Sequence, residues 1–413
     1  MSGTSPSSGG PPHRRITVVG IGADGWPGLP ERLREQVVAA TTLLGGRRHL
    51  ELIPPVQGQR REPWPSPLRE GLSGLLGALP EGEVVALATG DPMVSGIGTT
   101  LVDLLGPDAV VVEPAVSSVA LARARMAWSA EGCGLVSVVG RDPALVLREL
   151  APGRRLLVLS GDATTPGSVA RLLVDAGYGA STMTVLADLG AADESRHSTS
   201  AEGWLADAPT GVSSLHVLAL DLEGPRAGGW SPGLPDEAFE HDGQLTKRDL
   251  RASALARLAP APGEHLWDVG AGAGSIGIEW MRTHPTCTAT AVEADDERAR
   301  RIARNARRLG VPGLDVVTAQ APAALESLRP PDAVFVGGGA TEAGLVLACL
   351  RALQPHGRLV AHAVTLESEQ VLVGACREHG GELTRISVET AEPLGSFTGW
   401  RPARPVTQWT WER

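Results

Sequence analysis

Apolar residues fall along this chain in short runs, and between the runs their spacing shifts to the three-and-four of a helix. In the first half the runs within Arg15–Ile21, Glu83–Ala88, Val110–Glu113, Leu135–Val139, Arg155–Leu159, Thr182–Leu186 and Ser214–Leu220 predict strands. In the second half the runs ending at Val269, Val292, Val317 and Val336 do the same, Gly357–Ser368 predicts a strand and turn, and Pro405–Trp411 predicts a closing strand. Helical spacing begins near Pro30 or Glu31 and recurs over 67–79, up to Leu105, and over 119–128. It returns after Thr165, then from Thr246 to Leu258, from Ser275 and over 295–309. Strand and helix in alternation predict α/β architecture with parallel sheets. Residues 54–67 hold five prolines and predict an irregular loop. Residues 223–240 are Pro/Gly-rich and predict a linker between domains at 14–222 and 241–413. Residues 1–13 are Ser/Gly/Pro-rich with no apolar core, which predicts a disordered tail and not a signal peptide.

One stretch organises the rest. Leu266-Trp267-Asp268-Val269 is a buried-strand pattern, Gly270-Ala271-Gly272-Ala273-Gly274 a turn, and Ser275 opens a helix. Such glycines let the backbone turn sharply and let a ligand approach with no side chain between. The spacing is G-x-G-x-G, with Ser275 where the third glycine of the dinucleotide fingerprint would fall. After the next apolar run comes Glu293, a carboxylate suited to accept hydrogen bonds from a ribose diol. Asp268, three alternate glycines and Glu293 together resemble the first half of a class I S-adenosylmethionine (SAM) methyltransferase. A Rossmann-like domain for another nucleotide shares a turn of this kind. Near the amino terminus Gly20, Gly22 and Gly25 match G-x-G-x-x-G literally. There Trp26–Pro30 separates the turn from any helix and no acidic residue ends the next apolar run, which argues against a dinucleotide.

Size and composition narrow the classes. At 413 residues the chain is long for one domain, and 42% hydrophobic content supports packed cores. A formal charge of −10 argues against general binding to nucleic acid or anionic membrane. Cys133, Cys287, Cys349 and Cys376 are scattered, which fits a reducing cytoplasm and neither a disulfide frame nor a metal site. No apolar run approaches the length of a membrane span.

In the first half Gly20-Ile21-Gly22, Thr89-Gly90-Asp91-Pro92 and Glu113-Pro114-Ala115-Val116-Ser117-Ser118 occur in that order. This resembles the class III tetrapyrrole methylase fold, which implies two α/β lobes holding SAM between them. The resemblance places Gly90, Asp91, Ser117 and Ser118 at the cofactor. Ala23-Asp24 stands where that fold often has proline, so little is carried over from the first loop.

In the second half Thr246 reads as a helix N-cap with Asp249 three residues on. Arg298, Arg300, Arg301, Arg304, Arg307 and Arg308 read as a solvated basic face, or as a landing surface for a polyanion. Val336-Gly337-Gly338-Gly339 lacks the D/N-P-P-aromatic motif of amine methylases acting on nucleic acids. His362 reads as a structural strand residue or as an acid or base near a carbon centre.

The motifs around Thr246, Gly270, Glu293, Gly337 and Val364–Ser368 resemble the small precorrin-decarboxylating methylases. With the first half, residues 14–413 resemble the fused family that methylates precorrins at carbons 5 and 15 in cobalamin synthesis. The resemblance implies SAM-dependent conversion of precorrin-6B to precorrin-8X, with loss of the ring C acetate carboxyl. It assigns carbon 5 to the first domain, and carbon 15 and the decarboxylation to the second. It places Thr246, Gly270, Ala271, Gly272, Ala273, Gly274, Glu293 and Ala321 at the second cofactor. A precorrin substrate, a homo-oligomer and a cytoplasmic location are expected, with no nucleic-acid or membrane partner and no metal. No side chain stands out as catalytic, and Arg47, Arg48, Arg248 and the 298–308 arginines are candidates for substrate carboxylates. The alternative leaves the first half as a tetrapyrrole-binding module without activity.

Overall fold

The computed structural model describes residues 15–226 and 228–413, so the expected tail over 1–13 lies outside the described residues. The described residues fall into two compact units, 15–141 with 153–224, and 142–152 with the chain from Pro225 to Arg413.

The first unit opens with strands β1 (Ile16–Ile21), β2 (Thr42–Gly45), β3 (Arg60–Pro63), β4 (Val84–Thr89) and β5 (Val110–Glu113). They form a parallel sheet in the order β3-β2-β4-β1-β5. Val18 and Ala86 pack with Leu72 and Leu101 on one face, and Val19 and Leu87 with Leu33 and Val37 on the other. A strand covered on both faces needs apolar residues at consecutive positions, which is why these strands stand out as runs. A second sheet contains β6 (Cys133–Ser137), β7 (Arg155–Leu159), β8 (Thr182–Ala187), β9 (Ser195–Ser200) and β10 (His216–Asp221). Its order is β6-β7-β10-β8-β9, with β6 and β7 parallel and the other pairs antiparallel.

The expected irregular loop over 54–67 contains β3, an edge strand. It is held by pairing to β2 and by the Arg61 guanidinium, which donates to the carbonyls of Leu50 and Ile53 at 3.0 Å each. Strand β9 carries no apolar residue at all and forms because its backbone pairs with β8.

The second unit holds β11 (His265–Val269), β12 (Thr288–Glu293), β13 (Asp315–Thr318), β14 (Ala333–Val336), β15 (Arg358–Ala363) and β16 (Glu382–Ile386). A two-stranded ribbon, β17 (Glu389–Leu394) and β18 (Phe397–Pro402), precedes the last strand, β19 (Val406–Glu412). The main sheet runs β13-β12-β11-β14-β15-β19-β16, with β11–β15 parallel and β19 antiparallel to both neighbours. The order reverses between β11 and β14, and open sheets of this kind bind ligands at such a reversal, beyond the strand carboxyl ends.

Residues 228–240 are not loose chain. Leu234 and Phe239 are buried in the same apolar cluster as Leu255, Ile276 and Trp280. Buried Arg251 donates to Glu279 at 2.6 Å, and its remaining nitrogens reach Asp236 and the carbonyls of Thr246 and Leu234. Glu279 also accepts the N–H groups of Gly233 at 2.6 Å and Leu234 at 3.0 Å. This arrangement replaces the N-cap expected at Thr246. The helix Arg248–Leu258 has Lys247 at its N-cap without a side-chain cap bond, and Thr246 contributes its carbonyl to Arg251 instead.

Candidate functional site

In the second unit, β11 delivers the chain to Gly270, whose φ of +67° and closeness to Gly338 exclude a side chain. A Cβ there would lie 2.8 Å from the Gly338 carbonyl oxygen. Below the turn the Asp268 carboxyl is fully buried and accepts the Gly277 N–H at 2.9 Å. Burial, opposed by that bond and aided by the Glu293 charge, pushes its pKa up to about 7. Glu293, at the tip of β12, accepts the N–H of Gly272 at 2.8 Å through one oxygen and that of Asp295 at 3.1 Å through the other. Each carboxylate oxygen has a further lone pair for a hydroxyl.

A cavity of about 710 Å³ opens in front of this turn. Thr246, Gly270, Ala271, Gly272, Glu293 and Ala321 line it, whereas Ala273 and Gly274 do not. Ala273 is buried with its carbonyl bonded to Asn305, and Gly274 leads into the helix Ser275–Thr283. Lys247, Gln320, Arg404 and the Gly337–Gly339 turn also line the cavity, and of these Arg404 belongs to no motif of the sequence. His362 lines it as well. Its Nε2 lies 3.0 Å from Gln408 Oε1, the ring meets Phe335 edge-on, and burial lowers its pKa.

The first unit has its own cavity at the carboxyl ends of β1 and β4. Gly90 and Ser118 line it, with Gly22 and Ala23 from the first glycine loop. Asp91 and Ser117 are occupied elsewhere. Asp91 accepts the N–H of Met93 at 2.9 Å, and Ser117 caps the helix Ser118–Met126 by accepting from Ala120 at 3.1 Å. Gly20 is the residue that permits this geometry, since a Cβ on it would collide with the Gly90 carbonyl oxygen. Leu186, Leu215 and His216 close the far side.

Residues 15–203 match the family model described as tetrapyrrole (corrin/porphyrin) methylases, and residues 237–413 the one described as precorrin methyltransferase domain. The precorrin-6Y C(5,15)-methyltransferase (decarboxylating) of Sinorhizobium sp is 44% identical over 401 residues, 96% of each chain. The chain belongs to this family. It is a C-methyltransferase. The Mycobacterium tuberculosis member is 45% identical over 396 residues, covering 96% of this chain and 99% of that one. The crystal structure of the carboxy-terminal domain of the Rhodobacter capsulatus precorrin-6Y C5,15-methyltransferase covers 45% of this chain and all of its own. It is 44% identical, with a TM-score of 0.43.

For a member of this family the arginines are of interest, and most on the helix Asp296–Arg308 are engaged. Arg298 and Arg301 pair with Asp242 at 2.9 and 3.3 Å, and Arg304 with Glu240 at 3.0 Å. Arg300 pairs with Glu297 at 3.1 Å, Arg307 with Asp142, and Arg308 donates to the Ala238 carbonyl. The Arg298 bond holds the Asp242 carboxyl far below the usual range. The basic face is thus largely neutralised, while Arg47, Arg48 and Arg248 are exposed. Arg404 lines the cavity with no side-chain partner among the described residues. Among the described residues no three His, Cys, Asp or Glu side chains cluster as a metal site requires.

Proposed function

We propose that the amino-terminal domain, 14–222, methylates carbon 5 of a precorrin. The carboxy-terminal domain, 241–413, then has the methylation of carbon 15 and the removal of the ring C acetate carboxyl, with 223–240 joining the two. Each domain uses its own SAM. The observation that supports this reading is a glycine-lined cavity at the strand carboxyl ends in each unit. The second fits a nucleoside: the Glu293 lone pairs suit a ribose diol, and Ala321 presents an apolar surface to a base.

SAM, when bound, supplies an electrophilic methyl group. A reduced tetrapyrrole meso carbon is enamine-like, so the protein mainly has to align the two reactants. In the decarboxylation the bond to the carboxyl carbon breaks, carbon dioxide leaves, the electron pair enters the conjugated ring, and a proton taken up from solvent completes the methyl group that remains. Lys247 and Arg404 stand at the second cavity to meet carboxylates of the substrate. No side chain acts as a nucleophile; a covalent enzyme–substrate adduct would overturn that.

We further place the enzyme in the cytoplasm as a homo-oligomer. No helix among the described residues is long and apolar enough to cross a membrane. The ribbon β17–β18 exposes Leu394, Phe397 and Trp400, an apolar tip suited to a second copy.

Calorimetric titration of SAM tests the assignment. Two equivalents per chain are expected, with Ser118→Phe removing one and Glu293→Ala the other. A single equivalent, lost with Glu293→Ala, would make the amino-terminal half a binding module.

A further inference from the structure

His216 stands at the start of β10 and borders the first unit's cavity beside Leu186, Leu189, Leu215 and Val217. Its side chain is only 6% exposed. Nδ1 lies 2.7 Å from the Ser213 carbonyl oxygen. A carbonyl only accepts, so Nδ1 carries the hydrogen and, in the neutral ring, Nε2 is an acceptor. Burial pushes the His216 pKa down, against the weaker opposing pulls of the Ser213 bond and of Asp162 and Asp188, which keeps the ring neutral. Nε2 is buried and has no partner among the described residues. A buried acceptor without a donor is destabilising, and an orphan of this kind at a cavity marks a position that a ligand donor completes.

The surroundings choose the donor. Around His216 the wall is aliphatic, suited to a flat ring, while the glycines and Ser118 line the other end. Of the parts of SAM, the ribose hydroxyls and the amino-acid moiety are polar throughout. Adenine alone joins an apolar face to a hydrogen-bond donor, its exocyclic amine. We propose that His216 Nε2 accepts a hydrogen bond from the adenine amine in the amino-terminal domain and thereby selects adenine over hypoxanthine. The inference rests on the reading that this domain holds SAM.

The test uses the full chain carrying Glu293→Ala, so that the first cavity is observed alone. The probes are S-adenosylhomocysteine and S-inosylhomocysteine, in which a carbonyl replaces the amine and sets acceptor against acceptor. The adenine probe is expected to bind roughly tenfold tighter or more, since a site built around a hydrogen bond rejects the analogue that lacks it. His216→Phe, flat but without an acceptor, should lower affinity for the adenine probe by roughly tenfold and erase the preference. His216→Gln, whose amide can present either atom, should keep adenine affinity and gain affinity for the inosine probe. Equal binding of both probes by the histidine chain, or an unchanged ratio in both variants, overturns the role of His216 alone. Absence of any binding to the Glu293→Ala chain overturns the cofactor reading of this domain, and the inference with it.

Discussion

At the scale of single residues, Asp268 is the carboxyl whose environment most departs from water. It lies wholly inside the second unit under the glycine turn, with one backbone donor at 2.9 Å and the Glu293 charge nearby. Its folded pKa of about 7 is above the ordinary 3.8, so the folded state binds the proton more tightly than the unfolded chain. Its contribution to stability is therefore fully present below about pH 4 and is lost as pH rises toward 7. Asp268→Asn keeps an acceptor for Gly277 and removes the charge. Urea unfolding followed through Trp267 and Trp280, buried in the same unit, should show a flatter pH dependence between 4 and 7 in the variant. Parallel pH profiles for the two proteins would contradict the assignment. At the other cavity, acid should weaken S-adenosylhomocysteine binding as His216 gains a proton and Nε2 ceases to accept. Because burial lowers that pKa, the loss is expected below the ordinary histidine range, and a titration at several pH values checks it.

At the scale of elements, the buried pair Arg251–Glu279 ties the helix Arg248–Leu258, the helix Ser275–Thr283 and the segment around Leu234 together. Arg251→Met strands the Glu279 charge in the interior and should destabilise the second unit by about 3–5 kcal/mol. Adding Glu279→Leu should restore part of that, since the Gly233 and Leu234 N–H groups lose their acceptor. Denaturant midpoints of the single and double variants decide it. The same elements show which parts of the fold the sequence reveals. Strands covered on both faces, such as β4 and β14, carry unbroken apolar runs and are legible. Edge elements such as β3, β9 and the ribbon β17–β18 draw their stability from backbone pairing and bear no such mark. The sites divide the same way. The turn at Gly270–Gly272 and Glu293 belong to adjoining strand tips and follow from local pattern. His216 and Arg404 reach their cavities only when distant chain closes on them, and Asp91 and Ser117 are bonded within their own loops.

At the scale of the whole molecule, the ribbon tip is the most conspicuous surface feature, with Phe397 78% and Trp400 72% exposed. If copies of the chain meet there, Phe397→Ser with Trp400→Ser should lower the mass found by light scattering, without loss of helix signal in circular dichroism. An unchanged mass would locate the contact elsewhere. The stretch joining the two units carries a further implication. Although Pro- and Gly-rich, it supplies Leu234 and Phe239 to the second core and places Asp236 on buried Arg251. A gene fission that separated the two domains could not cut at an arbitrary point within it. The break would have to fall ahead of Gly233, leaving these residues as a leader on the second polypeptide. A shorter descendant beginning at His241 would have to rebuild that wall of its core by substitution.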